Sequence, residues 1–318
     1  MMASKYRDGL PQLWSAKPFL SDGGIETTLV FKYGFDLPEF AAFPVLDSED
    51  GRKALRELYA AYVRVAIKHR TGIVLETPTW RASRPWIEKL GYPVEKVSQA
   101  NAAAVELLKA LREDFETEDT PMVVSGSLGP LADAYKANAT TVESARYGLY
   151  DQVKALSDSG ADMLSIVTIT ETAEAIAAIQ LAQEFGLPVM VSFSVETDGR
   201  LLNGRPLGEA IAEVDTATNG YAAYFGVNCA HPLHFKAALG AMDLGIRQRI
   251  GVIRANASTK SHAELDNSDS LDRGDPAELA GHHPGLQELL PRLVVLGGCC
   301  GTDEEHVDAI ASQTIRTM

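Results

Sequence analysis

The chain has 318 residues, of which 46% are hydrophobic and 23% are charged, as in an ordinary globular protein. Its 43 acidic and 29 basic residues give a formal net charge of −14. This acidic balance argues against nucleic acid, which needs a basic surface, and against anionic membrane surfaces as partners. No apolar run is long enough to suggest a transmembrane helix, and residues 1–17 lack the apolar core of a secretory signal.

The arrangement of apolar runs predicts the fold. Short apolar, β-branched runs recur eight times, and a stretch with helical spacing follows each of them. Strands that alternate with helices indicate parallel βαβ units, and eight such units favour closure into a barrel. We therefore predict one (β/α)8 TIM-barrel domain that spans residues 1–318. The predicted strands are residues 19–22, 73–77, 122–126, 162–167, 188–194, 223–228, 250–254 and 293–297.

The stretches between the strands carry the helix signals. Apolar residues recur at helical spacing, and glycine or proline marks most of the boundaries. The predicted helices are residues 55–66, 97–112, 141–160, 173–184, 209–217, 234–242, 276–290 and 303–316. Two longer segments depart from this repeat, an aromatic one at 28–48 after the first strand and a polar one at 255–274 after the seventh. Both follow strands, so we expect them to cover the face of the barrel that carries the site.

The only three cysteines lie at the ends of two predicted strands. Cys229 ends the apolar run 224–228, and the pair Cys299 and Cys300 follows the run 293–296. The carboxyl ends of barrel strands share one face, where they would bring three thiolates together and leave the fourth position of a tetrahedral zinc site open. The alternative is three buried, inert cysteines. An odd number of cysteines does not suit a disulfide framework, so a reducing, cytoplasmic location is expected.

Further candidate residues lie at the same ends of the strands. Asp22 and Glu76 end the first two predicted strands, where each could bind a substrate cation or could cap a neighbouring helix. Asn228 precedes Cys229 and could order the metal loop, although strand alternation is equally compatible with its pointing away. Trp80 could contact a methylated onium group through its ring, as could Trp86, for which apolar packing is favoured. His231, His262, His282 and His283 show no convincing metal-binding partner at ligand spacing, and His262 is the one whose predicted loop covers the site.

Several motifs resemble those of the homocysteine S-methyltransferase family, of the betaine– and S-methylmethionine–homocysteine methyltransferase type. They are SDGGIET at 21–27, LET at 75–77, GSLGP at 126–130, GVNC at 226–229 and GGCCGT at 297–302. The resemblance implies a zinc-containing (β/α)8 barrel that methylates a thiol. It implies Cys229, Cys299 and Cys300 as zinc ligands and Asp22 as a substrate-binding residue, and Gly23 and Thr77 in the same motifs are predicted to bind substrate.

One position departs from the family pattern. Members of the family carry a glutamate at the end of the fourth strand that binds the amino group of homocysteine, and Val167 aligns with it here. An apolar side chain removes a partner for a substrate ammonium, and Glu171 could replace it only if the loop folds back. Val167 is therefore a predicted substrate-contacting position that bears on the choice of acceptor.

These features predict a zinc-dependent S-methyltransferase of the type that takes part in methionine biosynthesis. The expected partners are small molecules, an onium methyl donor such as S-methylmethionine or a betaine and a thiol acceptor, with homocysteine as the default. A thiolate at zinc remains nucleophilic, and it would attack the donor methyl group in line. One alternative is a subunit that exchanges methyl groups with a separate corrinoid protein, and another is a non-catalytic barrel that binds zinc and a thiol metabolite. The sequence leaves the oligomeric state open.

Overall fold

The protein is an eight-stranded parallel barrel, seen in a computed structural model that describes residues 3–134, 140–266 and 270–315. Each strand pairs with its neighbours in sequence, and β1 pairs with β8 to close the barrel. Leu20 of β1, for example, lies opposite Ile73 of β2 on one side and Leu296 of β8 on the other. The strands are β1 (Phe19–Ser21), β2 (Ile73–Glu76), β3 (Met122–Leu128), β4 (Met163–Ile169), β5 (Val189–Phe193), β6 (Tyr224–Asn228), β7 (Ile250–Ala255) and β8 (Val295–Gly298).

Helices connect successive strands and form the outer layer of the barrel. No helix among the described residues is both long and apolar enough to cross a membrane. The helices are α1 (Ile25–Phe31), α2 (Glu49–His69), α3 (Arg84–Lys89), α4 (Glu95–Phe115), α5 (Val142–Asp158), α6 (Thr172–Glu184), α7 (Leu207–Ala217), α8 (Pro232–Ala241), α9 (Leu244–Arg247), α10 (His262–Asp266), α11 (Pro276–Gly281), α12 (His283–Leu289) and α13 (Glu304–Thr314).

The predicted barrel is confirmed, with strand ends that differ by one or two residues from the sequence-based bounds. The single helix predicted at 276–290 is wrong, because the structure has two helices that meet at His282. Pro284 has no N–H to continue the hydrogen-bond ladder to Ala280, so the chain restarts as a new helix. The aromatic segment 28–48, predicted as a loop, includes the end of α1 and two short 3₁₀ turns. The predicted termini at 1 and 318 and the predicted helix end at 316 lie outside the described residues.

Two apolar layers fix the barrel. The larger one lies between the strands and the surrounding helices and includes Leu75, Leu108 and Phe225. The smaller one fills the inside of the barrel with side chains such as Val123 and Met190. Because side chains fill the interior, the barrel has a packed core, and open space for a ligand is left beyond the carboxyl ends of the strands.

Candidate active site

A cavity of about 450 Å³ opens at the carboxyl ends of the strands. The aromatic and polar segments after β1 and β7 contribute to its walls through Phe31, Phe40, His262 and Asp272, which places both segments at the predicted face. All of the residues predicted to bind the metal or the substrate line this cavity, whereas the alternative candidates Trp86 and Glu171 do not. The predicted residues that line it are Asp22, Gly23, Glu76, Thr77, Trp80, Val167, Asn228, Cys229, Cys299 and Cys300.

The three cysteines converge in this cavity, as their positions at two strand ends predict. Cys229 directly follows β6 with a positive φ of 55°, and its N–H donates to the Arg254 carbonyl of β7 at 3.3 Å. Cys299 directly follows β8, and its N–H donates to the Ala255 carbonyl at 2.8 Å. The three Sγ atoms, Cys300 included, lie within 4.8 Å of one another. The structure pairs Cys229 and Cys299 as a disulfide, with their Cα atoms 5.4 Å apart, which departs from the three thiols expected from the sequence, so a metal at this site requires their reduced form.

Asn228 is aimed at the sulfurs. Its side-chain Nδ2 donates to the Cys229 sulfur at 3.2 Å and lies 3.9 Å from the Cys299 sulfur. The Thr168 backbone at the end of β4 fixes this orientation, because the Thr168 N–H donates to Asn228 Oδ1 at 2.9 Å. Thr168 has a positive φ of 63°, an uncommon conformation for a β-branched residue that costs free energy and is concentrated at functional sites. The alternative in which Asn228 points away is therefore wrong.

The donor set suits a metal ion of the zinc type. Three cysteine sulfurs from two strands form a soft ligand set, and three protein ligands with an open position are the usual arrangement of catalytic zinc. The Asn228 amide adds a hydrogen-bond donor to the sulfurs, which stabilises sulfur in its charged thiolate form. Cys229 is almost fully buried, whereas Cys299 and Cys300 are half-buried and line the cavity, so an incoming ligand can approach from their side.

A buried ion-pair triad lies beside the cysteines, at the ends of β7, β1 and β2. Arg254, at the end of β7, pairs through its two terminal nitrogens with Asp22 after β1 and with Glu76 at the end of β2. Asp22 Oδ2 also accepts the Glu76 N–H at 3.0 Å, and Arg254 Nε donates to the Gly298 carbonyl at 3.0 Å. All three side chains are at most 7% exposed. The triad thus ties three strand ends together, and Arg254 partly neutralises the two carboxylates.

The charges of the triad depend on one another. The pKa of Asp22 is raised to about 7, chiefly by burial and also by the neighbouring Glu76 carboxylate, while Arg254 acts against both. Burial disfavours the charged form of Arg254, but the pKa of its guanidinium is raised overall because Glu76 and Asp22 surround it. We therefore assign a permanent positive charge to Arg254. The group carries a net charge close to −1 when both carboxylates are ionised.

The turn after β1 requires glycine at position 23. A Cβ built on Gly23 would lie 2.7 Å from the Tyr62 hydroxyl and 2.9 Å from the Thr302 carbonyl, so a side chain there would force the turn away from β8. Thr77 has a comparable positioning role, since its hydroxyl accepts the Ser127 N–H at 2.8 Å and pairs with the Thr79 hydroxyl at 2.6 Å. These contacts hold the ends of β1 to β3 in register around the cavity.

Trp80 lines the cavity, but the side chain of Arg81 already packs against its ring. The Arg81 guanidinium lies 4.6 Å from the Trp80 ring centroid and 4.0 Å from that of Trp86. Trp86 is buried, donates its indole N–H to the Pro130 carbonyl at 2.8 Å and is not among the cavity-lining residues, in line with its predicted packing role. The two tryptophans therefore hold an arginine between them, and of the two, Trp80 remains a candidate for contact with an onium group.

Val167 lies in β4 with its side chain 8% exposed, in contact with the inner apolar layer of the barrel. It lines the cavity, so the position of the expected family glutamate is an apolar wall here. Glu171 does not replace that carboxylate, because it precedes α6, interacts with Asn203 and is not among the residues that line the cavity.

Among the cavity residues that were not singled out from the sequence, three bear directly on the site. Arg254 is a charged residue at the end of an apolar strand, as Asp22 is, so its position could have marked it as a site residue. Its two partners are distant in sequence, so the ion pairs could not be predicted. Glu26 lies in α1, and burial raises the pKa of its carboxyl group. Thr168 gives no sequence signal, since its role depends on a backbone conformation. His262 reaches the site as expected, with Nε2 on the Cys229 carbonyl and Nδ1 3.2 Å from Glu196.

Comparison with known proteins identifies relatives over most of the chain. A family model described as homocysteine S-methyltransferase matches residues 19–314. The homocysteine S-methyltransferase of Escherichia coli is 26% identical over 242 residues, which cover 70% of this chain and 76% of that protein. Methionine synthase of Mycobacterium leprae is 25% identical over 230 residues, 70% of this chain but 18% of that protein. This chain thus matches less than a fifth of the length of that methionine synthase.

Solved structures share the fold. The metallated form of the homocysteine methyltransferase MmuM from Escherichia coli has a TM-score of 0.76 and 23% identity, and the match covers 96% of this chain and 99% of that one. The oxidized form of the same protein also has a TM-score of 0.76, at 22% identity. At this level of identity the likeness shows a common barrel.

Proposed function

Because the chain belongs to the homocysteine S-methyltransferase family, whose members are methyltransferases acting on a thiol, we propose that it transfers a methyl group from a small onium donor to a thiol in a zinc-dependent reaction. Homocysteine is the default acceptor, and the donor is of the S-methylmethionine or betaine type. The observation that carries this proposal is the convergence of three cysteine sulfurs and the Asn228 amide at one end of a 450 Å³ cavity.

Cys229, Cys299 and Cys300 would hold the ion. A bound zinc ion supplies a Lewis acid that keeps a coordinated thiol deprotonated at neutral pH. Asn228 holds the Cys229 sulfur by a hydrogen bond, and Thr168 holds Asn228, so the ligand geometry is set before substrate arrives. The partly exposed Cys299 and Cys300 face the cavity, which leaves an approach for the acceptor.

For the transfer itself, the protein has to align the two reactants and provide a site that attracts a cationic donor. A bond forms between the acceptor sulfur and the methyl carbon, while the bond from that carbon to the onium sulfur or nitrogen breaks and its electron pair stays on the leaving group. Positioning the two reactants in line removes a large entropic part of the barrier. Phe31, Phe40 and Trp80 offer apolar faces, and Glu26 adds a carboxylate that attracts a cationic donor.

Methyl exchange with a separate corrinoid protein is a second candidate function. The likeness to the Mycobacterium leprae methionine synthase favours it, because the matched region is a small part of a much longer protein. A reducing, cytoplasmic location is proposed for either function, since the cysteine thiols must stay reduced to bind a metal.

A matrix of acceptors and donors tests the proposed function. Reduced, zinc-loaded protein is incubated with homocysteine or 3-mercaptopropionate and with S-methylmethionine, glycine betaine or a methylated corrinoid protein, and methylated products are measured by mass spectrometry. Catalytic turnover with an onium donor alone supports the proposal. Turnover only with the corrinoid protein identifies the exchange subunit. No turnover, together with tight thiol binding, identifies a non-catalytic binding barrel.

Val167 gives a prediction about the acceptor. Asp22 and Glu76 are both paired with Arg254, and Val167 offers no charge, so a bound ammonium lacks its usual partner at this wall. We expect Val167→Glu to raise the ratio of kcat/KM for homocysteine to that for 3-mercaptopropionate about tenfold or more, the effect of one charge-assisted hydrogen bond. Val167→Gln, of equal size but uncharged, is the matched control. A wild type that strongly prefers homocysteine, together with a lower preference in Val167→Glu, contradicts this.

A further inference from the structure

Four of the seven histidines in the chain, His231, His234, His282 and His283, lie in one cluster. The cluster joins the loop after β6 to α11 and α12. The His231 ring centroid lies 5.3 Å from that of His282 and 6.1 Å from that of His234. None of these four is among the residues that line the active-site cavity. The thiol chemistry proposed above does not use them.

Two histidines and a carboxylate in this cluster have the spacing of metal ligands. Glu278 and His282 are four residues apart at one helical turn of α11, with Glu278 Oε1 2.8 Å from His282 Nε2. The second oxygen, Oε2, lies 3.5 Å from His231 Nε2, and all three ligand atoms lie within 4.8 Å of one another. Ligands of a tetrahedral zinc ion with bonds of about 2.1 Å are about 3.4 Å apart, so the two contacts bracket the required separation.

His231 provides a second, independent observation. Its side chain is fully buried, and its Nε2 atom has no hydrogen-bond partner among the described residues. Buried polar atoms are nearly always satisfied, and such an atom marks the place of a water, an ion or a functional contact. This atom points toward Glu278, the residue that also contacts His282.

We propose that His231, Glu278 and His282 form a second metal site, for a divalent cation of the zinc class, separate from the three cysteines. Two imidazoles and one carboxylate are the ligand set of many three-residue zinc sites, with the fourth position open to water. The nitrogen and oxygen ligands of this site differ from the three sulfur ligands of the cysteine site. They suit zinc, cobalt and nickel, whereas thiolates favour softer ions.

Ligation would replace the direct contact between Glu278 and His282 and would also change a helix cap. His231 caps α8, with Nδ1 accepting the Leu233 N–H at the long distance of 3.3 Å. A metal bond at Nε2 places the ring proton on Nδ1, so the cap is given up in exchange for the metal bond. Leu233 is largely exposed, and water can accept its N–H.

The position of the site suggests what it does. His231 is two residues after Cys229, so an ion at this site would tie the loop that carries the first cysteine to α11 on the outside of the barrel. We infer a structural role, in which the second ion restrains the Cys229 loop.

His234 is a matched control. It belongs to the same cluster, but its Nε2 atom contacts the Thr259 carbonyl at 2.9 Å, away from Glu278. Replacing it removes a histidine without removing a proposed ligand. His282 is a suitable residue to replace, because it lies at a helix end and its side chain is 20% exposed.

The test separates the two sites by their ligands. Zinc per chain is measured by equilibrium dialysis and elemental analysis in the wild type, in the triple variant Cys229→Ser/Cys299→Ser/Cys300→Ser, and in that variant with added substitutions. We expect two zinc ions in the wild type and one in the triple variant. Adding Glu278→Gln and His282→Ala should raise the remaining dissociation constant at least a hundredfold, whereas adding His234→Ala should leave it within about threefold.

Cobalt gives a readout that does not depend on stoichiometry. Co²⁺ added to the triple-cysteine variant should produce ligand-field bands in the visible spectrum without a thiolate charge-transfer band, and circular dichroism confirms that each variant is folded.

A triple variant that binds no zinc, or folded Glu278→Gln/His282→Ala variants that bind it unchanged, overturns the second site. A wild type that binds one zinc ion, and keeps it when the three cysteines are replaced, would instead count against the proposed thiol chemistry. The two proposals therefore fail in different ways.

Discussion

Replacing Cys299 with serine is expected to lower kcat/KM for methyl transfer by more than about a hundredfold, while the barrel remains folded. Loss of a residue that supports a ligand from outside the coordination sphere already costs 10- to 100-fold in metal affinity or activity, and loss of a ligand costs more. The fold should persist because the two apolar layers hold the strands without the cysteines. Steady-state kinetics, zinc content and the circular dichroism spectrum check the three parts of this expectation.

The matched control for Cys299→Ser lies in the same turn. Thr302 donates its hydroxyl to the Cys299 carbonyl at 2.7 Å, and Thr302→Ser keeps that hydroxyl. We expect its kcat/KM to stay within about twofold of wild type, below 0.5 kcal/mol in barrier. Near-wild-type activity of Cys299→Ser at full zinc occupancy would assign Cys299 a packing role.

The second large effect concerns stability. Arg254→Met is expected to lower the free energy of unfolding by about 3–5 kcal/mol, because it leaves Asp22 and Glu76 buried without their cation. Urea denaturation measures this loss. It should be larger at pH 8 than at pH 5. Arg254 lowers the pKa of Asp22, which burial raises, so without Arg254 the folded state keeps a proton that the unfolded chain releases, and the stability of the variant falls more than that of the wild type as pH rises.

A triple variant distinguishes lost charge pairing from lost packing. Asp22→Asn/Glu76→Gln/Arg254→Met removes all three charges and keeps similar side-chain volumes. We expect it to recover at least about 2 kcal/mol relative to Arg254→Met alone, since replacing a whole buried ionic group is often close to neutral. Equal destabilisation of both variants, with no dependence on pH, would show that the Arg254 side chain acts through packing.

The features that the sequence predicts are those that depend on local pattern. Eight apolar runs separated by helical stretches sufficed for the barrel, because strands buried on both faces need continuous apolar residues. The parallel arrangement then places all strand ends on one face, so the distant Cys229 and Cys299 could be predicted to meet. The same reasoning placed Asp22 and Glu76 at the cavity.

The features that the sequence does not predict depend on side-chain partners and backbone conformation. Nothing in the order of residues indicates that Arg254 pairs with both Asp22 and Glu76, or that Arg81 lies against the rings of Trp80 and Trp86. The orientation of Asn228 depends on the positive φ of its partner Thr168, a tertiary effect. The histidine cluster was likewise hidden, because His231 and Glu278 are brought together only by the fold.

X-ray absorption at the zinc edge, recorded with and without homocysteine, tests most directly whether the three cysteines hold the ion that activates the acceptor. The spectra are recorded on protein with Glu278→Gln and His282→Ala, so that only the cysteine site contributes. We expect about three sulfur ligands near 2.3 Å, rising to about four when homocysteine is added. A zinc ion with no sulfur ligands would contradict the assignment of Cys229, Cys299 and Cys300.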